Sequence, residues 1–191
     1  MKKLLLLTGD IAAGKSTFSR ILSKRYHTAA LQKDDIKEVL GDIIGFQNRE
    51  ENQKLSKAAV KMMCHLFSRL AQAGDSLILE ANFHAAELEE LRGIAEEHQY
   101  EVLTLVLRGD TDVLHQRYMR RIQQENRHPV HLSARLDDPN EFARCAEFLR
   151  NEKITGSRIE INASDFSYQT DEALLRQIDQ FMGGSVPSTI L

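Results

Sequence analysis

Short apolar runs alternate along the chain with longer stretches in which apolar residues recur every three or four positions. The apolar runs cover residues 4–7, 28–31, 76–79, 102–107 and 158–161. The first and the fourth are almost entirely apolar, as expected of strands in a parallel sheet that helices cover on both faces. The runs therefore predict five parallel strands.

The stretches between these runs have the periodicity of amphipathic helices. One helix face is formed by Leu55, Ala59, Met62, Leu66 and Leu70. Gly74 and Gly183 lie where helices are expected to end, because glycine readily adopts the left-handed conformation found at helix C-termini. The alternating order of strands and helices predicts a three-layer α/β fold, with helices on both faces of a five-stranded parallel sheet.

The composition narrows the class of protein further. With 191 residues and no linker or low-complexity run, the chain is expected to form one domain over residues 1–191. Its formal net charge of -3 argues against a broad basic face for nucleic acid. Cys64 and Cys145 lack the spacing of metal ligands, and no apolar run has the length of a signal peptide or a membrane span. We therefore expect a cytoplasmic protein without nucleic-acid or membrane partners.

Residues 8–18 read TGDIAAGKSTF and contain the pattern G-x-x-x-x-G-K-[ST]. The pattern follows a predicted strand and opens a predicted helix, which is the context of a phosphate-binding loop. Lys15 is placed to reach the β- and γ-phosphates of a nucleotide, and the hydroxyl of Ser16 is placed to bind Mg²⁺. The segment predicts a P-loop NTPase fold that binds ATP and Mg²⁺ through Gly9, Ala12, Ala13, Gly14, Lys15, Ser16 and Thr17.

Asp10 is unexpected within a loop that binds anions, because a carboxylate that faced inward would repel phosphate. Two interpretations are open. Either only the backbone of residues 10–13 faces the phosphates and the side chain of Asp10 points away, or this side chain contacts the second substrate.

The segment Lys33-Asp34-Asp35-Ile36-Lys37 follows the second predicted strand and opens a helix. With the P-loop, it resembles the P-loop kinases that phosphorylate small molecules or polynucleotide ends, a group that includes polynucleotide 5′-kinase, chloramphenicol phosphotransferase, gluconate kinase and the zeta-toxin-like kinases. The resemblance implies that Asp34, or less directly Asp35, orients the attacking hydroxyl as a catalytic base. It also implies that Lys37 contacts the substrate. Aspartate is equally a preferred N-cap, so one carboxylate could cap the helix instead.

Two polar residues mark the end of the third predicted strand. Glu80 closes the apolar run, and Asn82 follows two positions later. The resemblance implies that Glu80 joins Ser16 in holding Mg²⁺ and that Asn82 contacts the substrate.

A basic cluster follows the fourth predicted strand. Arg117 and Arg121 are four residues apart and so share one helix face, whereas Arg120 is expected to point elsewhere. The resemblance implies that both are lid arginines with a catalytic role, because a guanidinium binds phosphate oxygens and offsets the charge of the transition state. The least patterned stretch follows, and a helical lid is predicted over about residues 115–140. Residues 41–49 are expected either to line the acceptor pocket or to form core.

These observations predict an enzyme, an ATP-dependent kinase that transfers the γ-phosphate of ATP to a hydroxyl of a small molecule. Two alternatives stay open. A kinase of polynucleotide 5′-hydroxyl ends is favoured by the Lys33–Lys37 pattern. It is disfavoured by the negative net charge of the chain. An ATP-binding switch or ATPase without an acceptor is the other, because a P-loop alone does not fix the function.

Overall fold

A computed structural model describes residues 2–131 and 136–183 of the chain. Within these residues one five-stranded sheet is formed by β1 (Lys3–Gly9), β2 (Ala29–Gln32), β3 (Leu77–Glu80), β4 (Glu101–Arg108) and β5 (Arg158–Asn162). Every pairing is parallel, and the strand order is β2-β3-β1-β4-β5. All five predicted strands are present, which confirms the predicted α/β class with a parallel sheet.

Helices connect and cover these strands. They are α1 (Lys15–Tyr26), α2 (Lys33–Ile44), α3 (Arg49–Ala73), α4 (Ala85–Glu97), α5 (Thr111–Gln124), α6 (Pro139–Arg150) and α7 (Glu172–Met182). A short 3-10 helix, Pro129–His131, lies between α5 and α6. As predicted, α3 ends at Gly74 and α7 at Gly183, both in the left-handed conformation. The predicted lid contains the end of α5 and the 3-10 helix, and its residues 132–135 lie outside the described part of the chain.

The alternation of side chains along β1 produces the three layers. Leu5 and Leu7 point to one face of the sheet, where they pack with residues of α1, α5, α6 and α7. Leu4 and Leu6 point to the other face, where they pack with residues of α3 and α4. All four leucines are fully buried, because each face of this central strand is covered by helices. No helix among residues 2–131 and 136–183 is long and apolar enough to cross a membrane.

The strand order fixes where a binding site can form. The connection that leaves β1 leads to β2 on one side of the sheet, whereas β4 and β5 lie on the other side. β1 therefore lies at a topological switch point, where ligands bind beside the carboxyl ends of the strands. The P-loop follows β1 at this edge, and the segments that follow the other four strands meet it there.

Gly9 shows how tightly the P-loop is fitted to the neighbouring strand. Its φ is 124°, and an added Cβ would lie 2.0 Å from the carbonyl oxygen of Leu107 on β4. We expect Gly9→Ala to lower the free energy of unfolding by about 3 kcal/mol, because it adds backbone strain and a clash with main-chain atoms. Urea denaturation measures this change.

Gly93→Ala is the matched control for this substitution. Gly93 lies inside α4, and an added Cβ there meets no heavy atom within 4 Å. Alanine is the better helix former by about 1 kcal/mol, so this variant should be slightly more stable than the native chain. Equal stability of the two variants would contradict the tight fit inferred at Gly9.

Candidate active site

A cavity of about 520 Å³ opens at the carboxyl edge of the sheet, beside the P-loop. The predicted site residues that line it are Ala12, Ala13, Gly14, Lys15, Ser16, Thr17, Asp34, Asp35, Glu80, Asn82, Arg117 and Arg121. The structure thus brings together residues from four separate segments of the chain. They meet because each segment follows a different parallel strand at the same edge.

The backbone of the P-loop is held in the conformation that a phosphate cradle requires. Ala12 and Gly14 both have positive φ, at 60° and 86°. The Tyr168 hydroxyl donates a hydrogen bond of 2.8 Å to the carbonyl of Ala13, and its oxygen would lie 2.6 Å from a Cβ added at Gly14. Glycine is therefore required at position 14, directly before the N-terminus of α1, where backbone N–H groups and the helix dipole favour an anion.

Lys15 lies at the centre of this cradle and is only 8% exposed. Its ammonium donates hydrogen bonds to the carbonyl oxygens of Asp10, at 2.7 Å, and Gly9, at 3.2 Å. Burial lowers the pKa of Lys15, and the nearby carboxylate of Glu80 opposes this shift. These two carbonyl oxygens carry no net charge. The ammonium is therefore well suited to exchange them for the charged oxygens of a polyphosphate.

Ser16 and Glu80 form a hydrogen-bonded pair of oxygen groups next to this lysine. The Ser16 hydroxyl donates a hydrogen bond of 2.9 Å to a Glu80 carboxylate oxygen. Glu80 is 5% exposed, and burial raises its pKa while the charge of Lys15 acts in the opposite direction. The side-chain oxygen of Asn82, which lines the same cavity, is buried without a hydrogen-bond partner in the described residues. This set of hydroxyl, carboxylate and amide oxygens fits Mg²⁺, which prefers oxygen ligands and keeps several of its waters.

The two carboxylates at the start of α2 both line the cavity but differ in their surroundings. Asp34 lies 3.8 Å from the Lys33 ammonium and 3.9 Å from a ring nitrogen of His131. Burial raises the pKa of Asp34, but Lys33, His131 and more distant lysines lower it, and the net shift is downward. Asp35 is more exposed and lies 3.9 Å from Arg20. Neither side chain caps the helix, because the N-cap residue is Gln32.

The arginines of α5 and the segment after it form the wall opposite α2. Arg117 donates a hydrogen bond of 2.6 Å to the carbonyl of Ala163 and stacks on the ring of Phe166, with 4.1 Å between the guanidinium carbon and the ring centroid. Arg121 forms a half-exposed ion pair of 3.3 Å with Glu125. The prediction that Arg120 points elsewhere is wrong, because its side chain also lines the cavity. Arg127, half-buried, has no ion-pair partner within the described residues.

Lys37 does not line the cavity. It is 7% exposed and donates a hydrogen bond of 3.0 Å to the carbonyl of Val130. Burial lowers its pKa to about 8. Residues 41–49 do not line the cavity either, and the isoleucines expected as core are not, since Ile43 is 82% exposed and Ile44 is 66% exposed. Both expectations for this stretch are therefore corrected.

Asp10 points away from the cavity, as the first of the two interpretations predicted. Its carboxylate is 2% exposed and forms an ion pair of 2.6 Å with Arg150 at the end of α6. The same carboxylate accepts a hydrogen bond of 3.1 Å from the backbone N–H of Gly109. The acidic residue of the P-loop thus joins the loop to β4 and α6 instead of facing a ligand.

This buried pair predicts a measurable loss of stability. Arg150→Gln leaves the Asp10 carboxylate buried with only the Gly109 N–H as a partner, and we expect it to cost about 3 kcal/mol in the free energy of unfolding. Arg158→Gln is the control, because Arg158 and Glu160 form an exposed pair that should contribute less than about 1 kcal/mol. Urea denaturation compares the two, and equal losses would rule out a special role for the Asp10–Arg150 pair.

Sequence reasoning missed several side chains that line the cavity. They include Arg20 on the face of α1, Gln32 at the end of β2, Phe166 after β5 and His131 in the 3-10 helix. Periodicity gives no signal for these positions, because each reaches the cavity through the packing of its element rather than through a motif.

Comparison with known proteins agrees with this geometry. A family model described as AAA domain matches residues 4–155. A provisionally assigned kinase from Chloroflexus aurantiacus superposes with a TM-score of 0.79 at 26% identity, over 94% of this chain and 98% of that chain. A gluconokinase from Sinorhizobium meliloti superposes with a TM-score of 0.60 at 12% identity, over 93% and 94% of the two chains. A shikimate kinase from Bacteroides thetaiotaomicron superposes with a TM-score of 0.58 at 15% identity, over 95% of this chain and 98% of that chain.

A comparison with curated proteins finds no match. The family match covers most of the chain, and the three solved structures described above, which superpose over more than nine tenths of it, are kinases or carry that assignment. The predicted resemblance to P-loop kinases is thereby confirmed. The chain belongs to the AAA domain family and has the fold of the P-loop kinase group.

Proposed function

We propose that this protein is an ATP-dependent kinase that transfers the γ-phosphate of ATP to a hydroxyl group of a small molecule. The observation that carries the proposal is one cavity that contains both halves of a kinase site. The P-loop with Lys15, Ser16 and Glu80 supplies the donor half, and Asp34 stands in the same cavity with a pKa held below its ordinary value. A carboxylate so placed can accept a proton from an attacking hydroxyl.

The donor half would bind ATP in a fixed orientation. The backbone N–H groups at the start of α1 and the Lys15 ammonium would hold the β- and γ-phosphates. Ser16 and Glu80 would hold Mg²⁺, which would supply positive charge to offset that of the phosphates. A switch ATPase would need no carboxylate beside the γ-phosphate position for a second substrate, so the presence of Asp34 favours the kinase.

The two lid arginines differ in how free they are to act. Arg117 is already held by the backbone of Ala163 and the ring of Phe166, so it is the less free of the two to move toward a bound phosphate. Among the described residues, the ion pair of Arg121 is with the exposed Glu125, and exposed pairs of this kind are weak. We therefore assign to Arg121 the closer contact with the transferring phosphate.

A labelling experiment tests the proposal without knowledge of the acceptor. The protein is incubated with γ-labelled ATP and a metabolite extract of its source cells, and the small-molecule products are separated. We expect label in one product that is absent when Lys15→Met protein is used. Release of inorganic phosphate alone, with no labelled product, would favour the ATPase alternative instead.

The structure gives little support to a kinase of polynucleotide ends. The position that would hold a substrate phosphate in that alternative is Lys37, and its ammonium is buried on the carbonyl of Val130. Incubation of a 5′-hydroxyl oligonucleotide with γ-labelled ATP decides between the two kinases. A labelled oligonucleotide formed as fast as the small-molecule product would replace the proposal above.

A further inference from the structure

His131 joins two carboxylates of α2 across the edge of the cavity. Its Nε2 lies 2.6 Å from a carboxylate oxygen of Glu38, and its Nδ1 lies 3.9 Å from Oδ2 of Asp34. The imidazole is only 10% exposed, and it lines the cavity that contains the P-loop. Asp34 and Glu38 are four residues apart on α2, so both face the ring from the same side.

The contact with Glu38 fixes which ring nitrogen carries the proton. An ionised carboxylate only accepts hydrogen bonds, so Nε2 must be the donor. In the neutral ring, Nδ1 is then an unprotonated base, and it is the nitrogen on the Asp34 side. The separation of 3.9 Å is too long for a hydrogen bond, but a rotation of the half-exposed Asp34 side chain shortens it, and catalytic hydrogen bonds are often long before the substrate binds.

Asp34 has a physical reason to need such a partner. Burial raises its pKa, but the lysines around it, Lys33 first, outweigh this effect, so the net shift is downward. A base with a low pKa is a strong acid once it is protonated, and it would readily return the proton to the reacting oxygen. A neighbouring imidazole can take that proton, because imidazoles ordinarily bind protons more tightly than carboxylates do.

We infer that His131 positions Asp34 and accepts from it the proton that the acceptor hydroxyl releases, an inference that rests on the proposed kinase function. The hydroxyl oxygen bonds to the γ-phosphorus as the bond from that phosphorus to the bridging oxygen breaks, and ADP leaves with the electron pair. The hydroxyl proton moves to Oδ2 of Asp34 and then to Nδ1 of His131. The Glu38 carboxylate balances the resulting imidazolium.

Other charged groups lie around the imidazole of His131 and contribute to the electrostatic potential at the ring. A second cavity, of about 490 Å³, adjoins the first at His131. The titratable and charged groups that face the ring from the packed elements are Asp34, Lys37 and Glu38 of α2, Arg121 and Glu125 at the end of α5, and Arg127 and His128 of the following segment.

His128 offers a matched control, because it makes the same kind of contact one turn further along α2. Its Nε2 lies 2.9 Å from a carboxylate oxygen of Asp42, but it does not line the cavity that holds the P-loop. In both histidines Nε2 contacts the carboxylate, so glutamine, whose amide can donate from the same place, preserves that contact and removes the basic nitrogen.

The test compares His131→Gln with His128→Gln in the labelling reaction with metabolite extract, from pH 5 to pH 9. We expect His131→Gln to reduce the rate of product formation about 100-fold with the half-saturating ATP concentration unchanged, and His128→Gln to stay within about 3-fold of the native protein. We expect the pH profile of His131→Gln to differ from the native profile and the profile of His128→Gln to match it, since only the first substitution removes a base that contacts the cavity.

A rescue experiment separates proton transfer from a purely structural role. Added imidazole should restore part of the rate to His131→Ala and none to His128→Ala. Equal losses in both glutamine variants, or a His131→Gln protein with the native rate and pH profile, would show that His131 only holds the 3-10 helix on α2. If the native protein labels no product, the kinase proposal itself fails and this inference falls with it.

Discussion

Lys15→Met is expected to reduce phosphoryl transfer by about 10³-fold, the largest loss that we expect from a single side chain on the donor side. Methionine keeps most of the aliphatic length of lysine, so the buried site stays filled. It removes the ammonium that now lies on the carbonyl oxygens of Gly9 and Asp10 at the centre of the P-loop. The rate of label transfer from γ-labelled ATP measures the loss.

The same substitution should also weaken the binding of Mg²⁺ with ATP. Burial already raises the pKa of Glu80, and the charge of Lys15 is the largest influence that opposes this rise. Without that charge the pKa of Glu80 rises further, so at a given pH a larger fraction of the side chain is protonated. Titration calorimetry with ATP and Mg²⁺ should therefore show a weaker affinity that recovers in part as the pH is raised.

Lys24→Met is the control for this variant. Lys24 lies on the exposed face of the same helix, α1, and does not line the cavity. Its replacement removes an equal charge from the chain, so a general effect of net charge would appear in both proteins. Native activity in Lys15→Met would overturn the assignment of the P-loop as the donor site.

The elements that could be predicted from the sequence are those with a local physical cause. The central strands β1 and β3 are apolar because both faces of the sheet are covered there, and Gly74 and Gly183 end helices because their φ is positive. The P-loop is likewise a contiguous pattern, and its glycines are required because the backbone has positive φ at those positions. Such features are readable because the residues that determine them lie within a few positions of each other.

The partners of charged side chains could not be predicted in this way. Lys37 is bound to the carbonyl of Val130, 93 residues away, and Asp10 is paired with Arg150, 140 residues away. Each choice depends on how a distant helix packs against the P-loop or α2. Residue type and spacing predicted that these side chains lie near the site, but only the packing determines which of them reach the cavity.

Asp34→Asn is expected to reduce phosphoryl transfer by about 10³-fold while the affinity for ATP stays nearly native. The amide has the size of the carboxylate but cannot accept the proton of the attacking hydroxyl. The surrounding cations hold the pKa of Asp34 below its ordinary value despite burial, so the native base stays ionised into acid solution. The native rate should therefore lose the Asp34 contribution only at a pH below the usual titration of a carboxyl group. Rates of label transfer and calorimetry with a non-hydrolysable ATP analogue measure the two quantities.

Asp35→Asn decides between the two carboxylates at the start of α2. Both line the cavity, but the side chain of Asp35 is 62% exposed, and its ion-pair partner within residues 2–131 and 136–183 is Arg20, at 3.9 Å. Asp34 instead has the cations that keep a base ionised and the imidazole that can take its proton. We expect Asp35→Asn to keep the rate within about 3-fold of the native value, since an exposed pair of this length contributes little. If Asp35→Asn loses the activity and Asp34→Asn keeps it, the base is Asp35, and His131 then has no proton to receive.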